Sequence, residues 1–204
     1  MEDTTSQELL ALRSKQDEGL ISLACLKEFL HACKRCPLSE SRKNIVFGAG
    51  ATDARLVIVG EAPGAQEDEQ GTPFVGASGK ALSEYLSLAG LDRSQVFIAN
   101  VLKCRPPSNR NPHAEEIAQC APFLREQIRT IQPEIILTLG NFATRFILKS
   151  EKGISELRGK PVSLGAFTVL PTFHPAAALY DRKKRSAIEE DFNLLKELLA
   201  DSRR

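Results

Sequence analysis

Leu56-Val57-Ile58-Val59-Gly60-Glu61-Ala62-Pro63-Gly64 is the stretch on which the fold turns. Four aliphatic residues in a row, without polar alternation, mark a strand covered on both faces, and Gly60 ends it where the chain must enter a loop. Comparable runs recur at 96–101, 135–139 and 167–170. Between them lie helical patterns at 80–89, 114–131 and 141–148, and a last helix is expected near 186–200. Strand and helix alternate throughout, which implies right-handed crossovers, a mainly parallel sheet and helices on both faces. In such sheets ligands bind beyond the carboxyl ends of the strands. The loops that open at Gly60, Val101, Gly140 and Pro171 should therefore share one rim.

Upstream, Leu20, Leu23, Cys25, Leu26, Phe29 and Leu30 recur at helical spacing, so a helix is expected from about Glu18 until Pro37 stops the chain. Residues 1–17 are polar and lack a sustained apolar stripe, and read as a flexible N-terminal arm before one domain over 18–204. With 204 residues, 42% apolar and 26% charged, the chain has the composition of a single globular domain, neither disordered nor fibrous. No apolar run reaches the roughly 20 residues of a membrane helix, and the acidic start Met1-Glu2-Asp3 is unlike a signal peptide. A cytoplasmic protein without membrane contact is the expectation.

A net charge of +1 does not mark a nucleic-acid binder, so any such contact must come from local asymmetry. Arg182-Lys183-Lys184-Arg185 is a local basic run, whereas carboxylates collect at 61–69. Taken alone, four basic residues are more often a solvated helix start.

Five cysteines in a reducing compartment point away from a disulfide framework. Cys33-x-x-Cys36, Cys104 and Cys120 suit a four-thiolate site, either structural zinc or a 4Fe-4S cluster. The split second pair argues against a zinc ribbon, and four unrelated buried cysteines remain the bland alternative. Cys25 lies on the apolar face of the first helix and reads as an inert, buried thiol.

The glycine-rich loop after the first strand lacks both G-x-x-x-x-G-K-[ST] and G-x-G-x-x-G, so a nucleotide phosphate cradle is not expected. Its carboxylates would repel phosphate, yet they suit a site where positive charge develops on a sugar during glycosidic cleavage. Glu61 is the best placed of them. Phe74, within Pro73-Phe74-Val75-Gly76, is either a core aromatic or a platform for a flat base.

Three segments together resemble the family-4 uracil-DNA glycosylases: Gly60–Gly64 with Pro73–Gly76, Asn100–Pro107 with Asn109-Arg110, and His174-Pro175-Ala176-Ala177. The resemblance covers roughly residues 24–200. It implies a three-layer α/β/α sandwich around a four-stranded parallel sheet, and a structural 4Fe-4S cluster on Cys33, Cys36, Cys104 and Cys120. It also implies a monomer acting on uracil-containing DNA, with the base flipped into a pocket and its N-glycosidic bond hydrolysed to leave an abasic site.

The resemblance assigns roles residue by residue. Asn100 reads uracil through its carboxamide, Phe74 stacks on the base, and Ala62, Gly64 and Glu67 line the pocket. His174 bonds uracil O2 and stabilises the departing anion. Ala177 and Leu179 press into the DNA, and Arg182, Lys183, Lys184 and Arg185 lie on phosphates. In family-1 relatives an aspartate orients water where Ala62 stands here, so Glu61 is expected to orient water or counter charge at the sugar. Three competing readings are a branch that traps DNA covalently through a histidine, for which His113 would be the candidate, a branch of broader specificity, and a non-catalytic DNA-binding module. The segment from Cys104 to Cys120 has no inserted basic loop, and Asn111-Pro112-His113-Ala114-Glu115-Glu116 reads as a helix start.

Overall fold

The computed structural model describes residues 4–14 and 20–201. At the N-terminal end come α1 (Thr4–Arg13), α2 (Leu23–Leu30) and the short α3 (Leu38–Ser41). Then β1 (Ala49–Gly50), β2 (Leu56–Gly60), α4 (Ala65–Gln70), α5 (Ala77–Leu88) and β3 (Phe97–Asn100) follow. A 3-10 turn at Pro107–Asn109 leads to α6 (Ala114–Ile131), β4 (Ile135–Leu139), α7 (Gly140–Leu148) and α8 (Ile154–Leu157). The chain finishes with β5 (Val162–Leu164), β6 (Phe167–Thr172), α9 (Pro175–Ala178) and α10 (Arg182–Asp201).

The sheet has six strands in the order β1-β3-β2-β4-β6-β5. The inner four are parallel, and β1 and β5 pair antiparallel at the two edges. The expected four-stranded parallel sheet is therefore corrected to a six-stranded mixed one. The edge strands are too short for a recognisable apolar run, and β1 contains a glycine that its neighbour requires. A Cβ on Gly50 would stand 1.8 Å from the carbonyl oxygen of Val96, and its φ is +129°.

Period-two side-chain alternation divides each inner strand between two cores. Val57 and Val59 face a layer containing Leu26, Leu30, Phe123, Leu124 and Ala143, from α2, α6 and α7. Leu56 and Ile58 face Leu82, Leu86, Ile188, Phe192 and Leu195, from α5 and α10. Helices thus cover both faces, which is why every residue of β2 and β4 is buried.

Residues 1–17 depart from the expected flexible arm as far as they are described. Thr4–Arg13 is helical, Leu9 enters the first core, Thr5 donates to Gln119 Oε1 at 2.9 Å, and Arg13 pairs with Glu126 of α6. One deeply buried leucine with polar ties to α6 leaves too faint an apolar stripe to be read from sequence. The helix expected from Glu18 begins at Leu23, with Ser22 Oγ accepting from Cys25 N at 3.2 Å; residue 18 itself lies outside the described residues. Helices α5 and α10 begin three and four residues before the expected 80 and 186. Among the described residues no helix is long and apolar enough to cross a membrane.

Candidate active site

Strands β2, β3 and β6 end on one rim, and the loops leaving them enclose a cavity of about 360 Å³. Its walls include Glu61, Ala62, Gly64, Glu67, Phe74, Asn100 and His174, so the seven residues read from sequence as a base pocket line one space. Its size is at the small end of the range for ligand sites, suited to a single ring.

At the back of the cavity, Asn100 is the last residue of β3 and is 2% exposed. Its Oδ1 is buried without a hydrogen-bond partner. Such an orphan acceptor costs free energy unless a ligand satisfies it. Gly60 of β2 makes the close approach possible, because a Cβ there would lie 2.3 Å from Asn100 Oδ1 and 2.8 Å from the Phe74 ring. The Phe74 ring in turn lies 5.7 Å from the imidazole of His174, with 29° between their planes. An acceptor and two rings therefore converge on the slot.

Phe74 occupies the left-handed region, with φ +52°. Arg93 donates to Phe74 O at 3.0 Å and to Pro73 O at 2.7 Å. From the other side Glu67 Oε1 accepts from Val75 N at 2.9 Å and Gly76 N at 3.0 Å. Glu67 is thus committed through one oxygen to the turn that carries Phe74.

His174 caps α9, its Nδ1 accepting from Ala176 N at 3.2 Å. A lone pair on Nδ1 requires the neutral ring to carry its proton on Nε2. Burial drives the imidazole pKa down to about 4, against the opposite pull of Glu67, so the ring is neutral at physiological pH. Gly140 backs it closely: a Cβ there would meet His174 Cβ at 3.2 Å. Burial also raises the carboxyl pKa of Glu61. Glu61 and His174 further line an adjoining groove of about 700 Å³ that includes Asn111, Asn141 and Arg145. These two ionisable groups stand at the boundary between the slot and the groove.

Cys104 and Cys120 are buried, Cys33 and Cys36 half-buried. Cys104 and Cys120 pack with Leu38 and Leu102, and Cys36 borders them. Arg42 Nη1 lies 3.5 Å from Cys104 Sγ, and Lys103 N donates to Cys120 Sγ at 3.2 Å. Burial pushes the Cys104 thiol pKa up to about 11 and the Cys120 thiol pKa up to about 12. Among the described residues, no three His, Cys, Asp or Glu side chains stand in the close arrangement that holds a single metal ion. Cys25, expected to be a buried thiol, is half-buried against the first core.

The uracil DNA glycosylase superfamily model matches residues 47–200. The chain is 46% identical to the type-4 uracil-DNA glycosylase of Sulfurisphaera tokodaii, over 87% of this chain and 84% of that protein. It is 42% identical to the type-4 enzyme of Saccharolobus solfataricus, over 88% and 87%. A third type-4 enzyme, from Thermotoga maritima, is 43% identical over 85% and 93%. The chain belongs to the type-4 uracil-DNA glycosylases.

Around the pocket of this type-4 glycosylase, Pro63, Ser78, Pro106, Asn109, Arg110 and Ala176 complete the wall. Arg110 is fixed by Glu116, whose carboxylate accepts from both guanidinium nitrogens at 2.6 and 2.9 Å and from His113 N at 2.8 Å. The glycosylase uses His113 as the cap of α6, which gives it a structural occupation. Of the expected DNA-contacting residues, Leu179 is 42% exposed and neighbouring Tyr180 96% exposed, while Ala177 is half-buried. Arg182, Lys183 and Arg185 are exposed and Lys184 half-buried on the first turn of α10. Arg185 stands 3.8 Å from Glu84, and Lys184 3.5 Å from Asp181. Sequence reasoning missed Arg93, whose link to Phe74 is a contact between distant loops that no local pattern records.

Proposed function

We infer that this glycosylase flips deoxyuridine out of DNA into the 360 Å³ slot and hydrolyses its N-glycosidic bond, releasing uracil and leaving an abasic site. The observation that carries the reading is the orphan Oδ1 of buried Asn100. Uracil presents an N3–H donor beside its O4 acceptor, so the Asn100 carboxamide can accept from one and donate to the other. Cytosine offers an acceptor at N3 and a donor at the neighbouring position, and would leave both halves of the carboxamide opposed.

Phe74 supplies the stacking face. His174, neutral with its proton on Nε2, can donate to O2 as negative charge gathers on the leaving base. A neutral donor meets that charge without having to lose a proton. As the bond breaks the sugar becomes oxocarbenium-like, and an ionised Glu61 at the mouth of the slot can counter that charge and orient the attacking water. The adjoining groove of about 700 Å³, which shares Glu61 and His174, would take the sugar and its phosphates.

Leu179 and Tyr180 supply an apolar edge to fill the vacated stack, and Arg182, Lys183, Lys184 and Arg185 a phosphate-binding turn. The first turn of α10 has no acidic residue of its own, and Asp181 just before it accepts from Lys183 N at 3.0 Å and Lys184 N at 3.3 Å.

Cys33, Cys36, Cys104 and Cys120 fit a 4Fe-4S cluster. The support is Lys103, which is fully buried, donates to Asn100 O at 2.8 Å and Gln127 Oε1 at 2.6 Å, and has no carboxylate ion pair among the described residues. Burial lowers the Lys103 pKa to about 8, and Cys120 and Cys104 are the neighbours whose ionisation would raise it again. A buried ammonium needs a counter-charge, and thiolates bound to iron would provide it. Held by these four thiolates, such a cluster would supply a structural cross-link, leaving the chemistry at the base to the side chains above. Four irons per chain are expected in purified brown protein, and a zinc-loaded colourless protein would contradict the assignment.

The function is tested with a labelled duplex carrying one uracil, followed by alkali. Wild-type protein should produce breakage at the uracil. Asn100→Ala, which loses both base-reading bonds, should lower kcat/KM by roughly 10²–10³-fold, as about 3–4 kcal/mol for two buried hydrogen bonds. Alkali-sensitive excision unaffected by that substitution would remove Asn100 from base reading. A shifted denaturing-gel band would instead mean covalent trapping.

A further inference from the structure

Phe74 is a bulky residue held at φ +52°, a conformation that L side chains other than asparagine and aspartate rarely adopt. Backbone strain of this kind persists only where the surroundings over-determine it. Here three neighbours do so. Gly79 of α5 leaves room for the turn, since a Cβ there would lie 1.8 Å from Phe74 O. Glu67 accepts from the two N–H groups that follow, Val75 and Gly76. Arg93, in the turn between α5 and β3, donates from both terminal nitrogens to Pro73 O and Phe74 O.

Arg93 lies twenty positions from Pro73 in sequence, is half-buried, and has no ion pair among the described residues. The two terminal nitrogens of a planar guanidinium can hold two successive carbonyls at once, whereas an ammonium acts as a point charge. The contact is therefore specific to the side chain's shape. On the opposite side of the turn, the Phe74 ring is pressed between Gly60 and His174, so a small rotation of the backbone at Phe74 would swing the ring out of the slot.

We propose that Arg93 is a positioning residue for base recognition: its guanidinium fixes the left-handed turn at Phe74 and so presents the ring on which uracil lies. The proposal rests on the reading of Phe74 as the base platform. It distinguishes Arg93 from an ordinary tie between α5 and β3, because a tie would affect stability without affecting the affinity of the slot.

A double-mutant cycle on the full-length protein separates these cases, with inhibition by free uracil and steady-state excision as readouts. Phe74→Ala alone should weaken uracil inhibition at least tenfold; an unchanged inhibition constant would overturn the platform reading, and the clamp with it. Arg93→Met should weaken inhibition and raise KM about tenfold, with a smaller change in kcat. Arg93→Lys, which keeps the charge and most of the packing, should fall between wild type and Arg93→Met, and supplies the same measurement if the methionine variant does not fold. In the Phe74→Ala background either Arg93 substitution should change uracil inhibition less than twofold. If Phe74→Ala weakens inhibition but the Arg93 variants do not, or if their effects persist undiminished without the ring, the clamp is overturned while the platform stands.

Discussion

His174 illustrates how one side chain can be tuned by its backbone setting. Its Nδ1 is occupied by the N–H of Ala176, and burial takes its pKa to about 4 from an ordinary value near 6.5. A histidine with a depressed folded-state pKa contributes stability above about 6.5, and that contribution is lost as pH falls towards 4. Between those values wild-type protein should therefore lose more urea stability than His174→Gln, which cannot titrate; parallel losses would contradict a half-buried imidazole held neutral. Glu61 moves the other way, its carboxyl pKa raised by burial. If the ionised form is the working one, kcat/KM should fall on the acid side with a midpoint above the ordinary carboxylate value of about 4.5. Glu61→Gln should abolish that limb and slow excision with little change in DNA affinity. At this scale Glu61 was legible from its place after Gly60 at the end of β2, whereas Asn100 and His174 were picked out by the family resemblance; all three line the same slot. Arg93 and the Glu116–Arg110 pair were not legible, since their roles arise from contacts that sequence spacing does not encode.

At the scale of elements, His174 depends on how β6 is anchored. Asp191 of α10 is buried, accepts from Thr172 Oγ1 at 2.6 Å at the end of β6, and receives Arg158 through two nitrogens at 2.5 and 3.0 Å. Strand, helix and the residue after α8 meet at that carboxylate, and Thr172 stands two positions before His174. Asp191→Ala should cost about 3–5 kcal/mol, because it leaves a partly buried guanidinium and a hydroxyl without their acceptor. A lowered urea midpoint with an unchanged slope would report it. The inner strands and long helices were readable from their apolar runs and periodicity. The edge strands β1 and β5 and the docking of α1 were not, being two or three residues long in the first case and tied largely by polar contacts in the second.

Taken as a whole, the molecule places the Asn100 slot, the exposed Leu179-Tyr180 tip and the basic start of α10 along neighbouring loops, despite a net charge of only +1. DNA affinity should then depend on a few local cations. Replacing Arg182 and Lys183 together by alanine should weaken binding to uracil-containing and normal duplexes alike. It should also reduce the slope of log affinity against log salt by roughly 2. A loss confined to uracil-containing DNA would place those side chains at the base instead.

The central claim is spatial: Glu61, Phe74, Asn100 and His174, distant in sequence, enclose one extruded pyrimidine. A crystal structure with free uracil tests it most directly. The account predicts the ring lying against Phe74, N3 within hydrogen-bond distance of Asn100 Oδ1, and O2 facing His174 Nε2. Uracil bound elsewhere, or seated with Asn100 Oδ1 still unpaired, would contradict it.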